Sequence, residues 1–200
     1  MRKSALVVIV LAALVALWRP AAAASDPAAA VVTAFQDETL AIMKAGPRLG
    51  AQGRYDRFLP LTERAFDFPV MMAYAAGPAW SGMSAADRRM LIAAFARLTA
   101  ASYAHNFDRW SGERFEVDPK VVVRGPDHIV TGRIVPALGA PTTLLYRMRQ
   151  SGGGWKIIDV YYGAVSQLTT RRADFAGPLA SGGAAGLQRH LTELVAHLLK

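Results

Sequence analysis

Cysteine is absent from all 200 residues. That excludes disulfides, thiol nucleophiles and cysteine-based zinc or iron–sulfur sites. The four histidines, His105, His128, His190 and His197, stand apart and form no H-E-x-x-H pair, so metal-ligand spacing is missing too. No G-x-S-x-G elbow and no Walker or G-x-G-x-x-G phosphate loop occurs at a strand-to-helix turn. Gly152-Gly153-Gly154 lies between two strand-like runs and reads as a hairpin turn, not a phosphate cradle. Basic residues are scattered, the local pairs being Arg88-Arg89, Arg147/Arg149 and Arg171-Arg172. Without a basic run interleaved with aromatics there is no nucleic-acid footprint. The apolar run Ala5–Trp18 spans fourteen residues, short of the roughly 20 that a membrane-spanning helix needs. No repeat or low-complexity linker divides the chain.

What is present begins with an address. Arg2-Lys3, the apolar run to Trp18 and Ala21-Ala22-Ala23-Ala24 form the charged, hydrophobic and small-residue regions of a signal peptide. Residues 1–24 are therefore expected to be removed, with cleavage after Ala23 or Ala24, leaving a single domain over 25–200. The cut removes Arg2, Lys3 and Arg19 but no acid, so 20 basic and 15 acidic residues remain, a net charge of +5. That balance favours weak attraction to anionic membrane surfaces or acidic partners.

The mature chain reads as helices first and strands later. Asp26-Pro27 caps a helix with an apolar stripe of Val32, Phe35, Thr39, Ile42 and Met43. Gly46-Pro47 is expected to stop it, with a loop over 50–54 and a short helix over 55–66 broken at Pro60. Asp67-Phe68-Pro69 opens another helix through Ala76, and Ser84 caps the longest one, roughly Ala85 to Trp110. From Arg114 the period changes to two, giving strands over 114–117, 120–124, 128–135, 142–149 and 155–162. A final helix from about Ala184 to Leu199 follows the segment Gln167–Phe175. The expected fold is α+β: N-terminal helices on one face of a curved, four- to five-stranded antiparallel sheet, a C-terminal helix, and an apolar cavity between the layers.

The run WKIIDV (155–160), the Val165-Ser166 pair and RRADF (171–175) stand in a fixed order with three other segments. These are RFLPLTERAFDFPVMMAYAAGPAW (57–80), FARLTAASYAHNF (95–107) and GPLASGGAAGLQRHLTELV (177–195). Together they resemble the MlaC family of periplasmic lipid-shuttle proteins, and most nearly its hopanoid-associated HpnM branch. Gly163-Ala164 stand where many members carry an acidic-Gly pair. The resemblance implies a periplasmic carrier without cofactor. It would take a hopanoid or phospholipid from an inner-membrane lipid transporter and deliver it toward the outer membrane or an acceptor there.

Met and aromatic side chains suit a wall that accommodates variable apolar shapes. The expected lipid-binding positions are Phe68, Met71, Met72, Trp80, Tyr103, Phe107, Leu144, Tyr146, Ile158, Val160 and Tyr162. The strand members assume that Leu144, Tyr146 and the even-numbered residues of the last strand face the helices. Two readings compete. Asp159 with a tyrosine in an apolar cavity has the groups of a small isomerase or hydratase acting on an isoprenoid-like substrate. For that, Asp159 and a phenol must share one cavity. Otherwise Asp159 pairs with Arg147 or Arg171, or accepts from a turn amide. A purely structural envelope protein would pack its interior fully.

Overall fold

The computed structural model describes residues 26–200, so the expected signal peptide lies outside the described residues. Five helices and six strands follow in order. They are α1 (Pro27–Ala65), α2 (Phe68–Ala76), α3 (Ala79–Gly82), α4 (Ala85–Asn106), β1 (Arg114–Val117), β2 (Val122–Arg124), β3 (Asp127–Val135), β4 (Thr142–Ser151), β5 (Gly154–Tyr162), β6 (Val165–Ser166) and α5 (Gln167–Leu198). The α+β class and the order of helices before strands are as expected. The sheet has six strands rather than four or five, in the order β1-β3-β4-β5-β6 with β2 also on β3.

Local chemistry starts α1, α2 and α4. The Asp26 carboxylate accepts from the Ala28 amide at 2.8 Å, and the Asp67 carboxylate from the Val70 amide at 3.1 Å. The Ser84 hydroxyl accepts from the Asp87 amide at 3.0 Å and donates to its carboxylate at 2.7 Å. The three amide bonds each satisfy a donor that the first helical turn leaves free.

The breaks expected from proline fall elsewhere. α1 runs through Gly46-Pro47 and through Pro60, and bends at Gly50, whose φ of 65° belongs to glycine. Residues 51–54 are helical, not loop, and only Gly50 leaves the helical conformation. Gly46 serves contact instead: a Cβ there would run into the Asp108 carbonyl. α4 ends at Asn106, four residues before Trp110. α5 is two helical stretches that meet at a kink at Gly183, so the final helix starts at Ala184 as expected, and Gln167–Phe175 belongs to the stretch before it.

Strands β4 and β5 are joined by the two-residue turn Gly152-Gly153, with φ of 58° and 84°. Positive φ at both positions is the requirement of the hairpin turn that matches strand twist. Leu144, Tyr146 and Met148 are buried against the helices. Opposite them β5 carries an extra residue: Arg147 pairs with Asp159 but Met148 with Ile157, so Ile158 is a bulge.

The helical layer covers one face unevenly. α1 packs on β1, β3 and β5, whereas α4 packs mainly on α1, α2 and α5 rather than on the sheet. Held at its flanks, α4 spans the space above the strands. On the other face Asp127 binds Arg147 Nε at 2.6 Å and Arg149 Nε at 2.6 Å. Burial pushes the Asp127 carboxyl up, but the Arg149 and Arg147 hydrogen bonds outweigh it and hold it below the usual range.

Candidate functional site

Where α4 stands off the sheet, a cavity of about 580 Å³ opens. Its roof is one face of α4, Phe95, Thr99, Ser102, Tyr103 and Asn106, together with Phe107 that caps its end. The helical positions recur at three- and four-residue steps, so one helix face supplies them. Its floor is Ile134 of β3, Thr142 and Leu144 of β4, and Val160 and Tyr162 of β5. Phe66 and Met71 close the inner end, and Asp159, Gln167, Leu168 and Arg171 border the side where α5 begins.

Aromatic packing sets the height of the roof. Tyr103 meets Phe35 of α1 edge-on at 5.3 Å and stacks on Phe107 at 5.5 Å. Phe95 meets Phe175 of α5 edge-on at 5.4 Å. These contacts hang α4 from α1 and α5 with ring-on-ring geometry that a drop onto the strands would break. Burial pushes the Tyr103 phenol well above its ordinary value, helped by neighbouring Tyr146. It therefore stays neutral, a hydroxyl inside an apolar wall.

Six of the eleven residues expected at a lipid-binding wall meet here: Met71, Tyr103, Phe107, Leu144, Val160 and Tyr162. Five are not on the wall. Phe68 stacks behind Phe66 at 5.8 Å, and Met72 is fully buried in the core beyond. Trp80 lies on α3 with the Arg88 guanidinium 5.4 Å over its ring. Tyr146 points under α1, where its hydroxyl meets Gln36 Nε2 at 3.3 Å. Ile158 is displaced by the bulge and stays buried outside the main core cluster. The even-number rule for β5 thus holds for Val160 and Tyr162 and fails at Ile158, because one inserted residue shifts the alternation.

Tyr103 on the α4 face and Phe107 at its end were expected; Phe95 and the polar Thr99, Ser102 and Asn106 beside them were not. Thr99, Ser102 and Asn106 are polar residues on the stripe that starts at Phe95. Polar groups on a helix face otherwise turned to the interior are the signal that something other than core lies against them.

Asp159 borders the cavity together with Tyr103 and Tyr162, so an acid and phenols do share one space. Tyr161, two residues along β5 from Asp159, is not on the wall. The Asp159 carboxylate accepts from the Ser166 hydroxyl at 2.6 Å and the Leu168 amide at 3.0 Å. The turn-amide alternative is the one observed. Arg147 goes to Asp127 and Arg171 to Asp174, leaving Asp159 to fasten the first turn of α5. Among the described residues no group of three metal-ligating side chains occurs, and no helix is long and apolar enough to cross a membrane.

The family model described as MlaC protein matches residues 33–193. The chain belongs to the MlaC family. A search of the curated proteins finds no match. Among solved structures, the chain is similar to a phospholipid-binding protein from Ralstonia solanacearum, determined in complex with a phospholipid. The two are 25% identical with a TM-score of 0.73, over 88% of this chain and 100% of that one. The MlaC fold thus extends across nearly the whole described chain, cavity included.

Proposed function

We propose that this MlaC-family chain is an exported lipid carrier of the hopanoid-associated HpnM branch, working in the periplasm after cleavage behind Ala23 or Ala24. The observation that carries the reading is the apolar cavity of about 580 Å³ between α4 and the sheet. A relative of the same fold, the Ralstonia solanacearum protein, was solved with a phospholipid. A water's share of liquid volume is about 30 Å³, and a methylene fills a similar space, so the cavity matches roughly nineteen such units. That is room for one hydrocarbon body of about an acyl chain's size, and the proposed cargo is a hopanoid or a phospholipid. Each buried methylene contributes about 0.8 kcal/mol. The polar head would remain at the mouth beside Asn106, Gln167 and Arg171. Loading would come from an inner-membrane lipid transporter, and delivery would go to the outer membrane or an acceptor there.

The test is native mass spectrometry of the mature protein purified from its periplasm, with lipid extraction of any adduct. A hopanoid or phospholipid at one-to-one stoichiometry is expected. Protein that arrives empty and takes up neither lipid from vesicles overturns the carrier reading.

A catalytic reading has one observation in its favour, the shared cavity of Asp159, Tyr103 and Tyr162. Against it stands the carboxylate's engagement with Ser166 and Leu168, which suits a positioning role for α5. Turnover of isoprenoid substrates by the wild type and its loss in Asp159→Asn would favour catalysis.

A further inference from the structure

The exposed apolar side chains are not spread evenly. Of eight large ones among the described residues, four sit at one end of the sheet: Leu138, Tyr162, Val165 and Trp110, exposed by 91%, 59%, 57% and 46%. This is the end at which the cavity opens, since Tyr162, Ile134 and Thr142 line it and end or begin their strands there. The three segments that carry them touch. A Cβ on Gly112 would lie 2.9 Å from Ala137, which puts the Trp110 segment against the loop bearing Leu138. The Gly163 amide donates to the Thr143 carbonyl at 3.5 Å, which ties the Tyr162–Val165 turn to the start of β4. The result is a rim of single apolar tips around an apolar opening.

Two basic residues at this end have no acid within ion-pair distance among the described residues. The segments 44–48, 107–114, 135–143 and 162–171 hold the basic residues Lys44, Arg48, Arg109, Arg114 and Arg171. Arg109, Arg114 and Arg171 pair with Asp108, Glu116 and Asp174, which leaves Lys44 and Arg48. Segment 44–48 belongs here because Gly46 abuts Asp108 and the Lys44 ammonium lies 5.3 Å over the Trp110 ring. Aliphatic tips, a Trp and a Tyr beside them, and long basic stems at the flanks form the combination that settles into a bilayer interface. Basic residues near the surface of an anionic leaflet add their own attraction.

We propose that this rim docks on the surface of an anionic phospholipid bilayer, Leu138 and Val165 entering the acyl boundary with Trp110 and Tyr162 at headgroup level. The inference rests on the carrier reading for its purpose, because a docked rim lets hydrocarbon pass between bilayer and cavity without crossing water. Its test does not. The mature chain is mixed with phosphatidylethanolamine–phosphatidylglycerol vesicles and sedimented. Leu138→Asp weakens partition at least about tenfold, the penalty of exchanging an inserted aliphatic tip for a charge. Val123→Asp, at the opposite end and 62% exposed, leaves it unchanged. Brominated acyl chains quench tryptophan fluorescence in the wild type, and Trp110→Phe removes most of that quenching.

Partition absent in the wild type, or equal in Leu138→Asp and Val123→Asp, overturns the proposal. So does a Leu138→Asp protein that keeps vesicle binding but no longer associates with a detergent-solubilised lipid transporter, which would assign the rim to a protein partner. Lipid loading from detergent micelles, measured on the same proteins, tests the cavity separately. Its failure alongside intact vesicle binding sinks the carrier reading and leaves the rim standing.

Discussion

The sheet has one helix-covered face and two kinds of interior on it. Under α1 the space is filled: the Tyr146 ring is buried between β4 and α1, its hydroxyl meets Gln36, and Val32 and Val130 are fully buried beside it. Under α4 the space is open, a cavity bounded by rings and a few hydroxyls. A single glycine explains much of the contrast. At Gly132 a Cβ would strike the Gln36 side chain and come within 2.9 Å of the Tyr146 ring, so the missing side chain is what lets α1 approach β3. No such approach exists beneath α4, which hangs from α1 and α5 through aromatic contacts. Closeness to the strands, not hydrophobicity, separates core from cavity.

The contrast breaks most sharply at Tyr146. Replacing it with Ala is expected to cost about 4 kcal/mol, because the filled half cannot collapse around the loss. Leu144→Ala, on the cavity wall, is expected at the low end for buried leucines, about 2 kcal/mol. Urea unfolding of both variants measures the difference, and equal values would dissolve the distinction between the halves. Gly132→Val comes next. Forcing a branched side chain between Gln36 and Tyr146 is expected to cost about 3 kcal/mol and to lower the thermal midpoint accordingly.

Ser102→Trp acts on the open half. An indole on the α4 face would occupy the cavity, so lipid uptake is expected to fall at least about tenfold, some 1.4 kcal/mol, while stability holds or rises. A Trp variant that loads lipid normally would show that cargo goes elsewhere.

The smallest effect is the most diagnostic of the filled half. Burial pushes the Tyr146 phenol up to about 12, with the Gln36 hydrogen bond pulling the other way. An unfolded tyrosine ionises near about 10. A folded-state pKa raised above the unfolded one means that the contribution is fully present below pH of about 10 and is lost as pH rises toward about 12. Tyr146→Phe is expected to flatten that alkaline fall while costing about 1 kcal/mol at neutral pH, since Gln36 loses its partner. Stability measured from pH 8 to 12 checks both parts. An unchanged alkaline slope would place the titration on other groups, such as Tyr103.

Elements driven by nearest neighbours were legible before any coordinates. The caps at Asp26, Asp67 and Ser84 and the Gly152-Gly153 hairpin follow from side chains that satisfy or permit a local backbone geometry. The change of period at Arg114 set the α+β class. Proline signals misled, because α1 continues through Pro47 and Pro60 and kinks instead at Gly50, whose positive φ a glycine permits. The wall of the site was half legible. Met71, Tyr103 and Phe107 carry an aromatic or methionine signature, and Leu144, Val160 and Tyr162 follow strand alternation. Ile158 escaped because a bulge is decided by the partner strand. Phe68, Met72 and Tyr146 look the same in sequence as wall residues and differ only in what lies across from them.

The amino-acid sequence by itself determined which segments become helix or strand, where the caps and the tight turn fall, and which faces are apolar, since all of these are set by residues within a few positions of one another. Only the tertiary structure decided that α1 touches the strands and α4 does not, that β5 is offset by one residue, and that the exposed Leu138, Tyr162, Val165 and Trp110 gather at the cavity mouth. Those features depend on contacts between residues as far as 110 positions apart, as Gln36 and Tyr146 are, and no local pattern encodes the distance at which two layers come to rest.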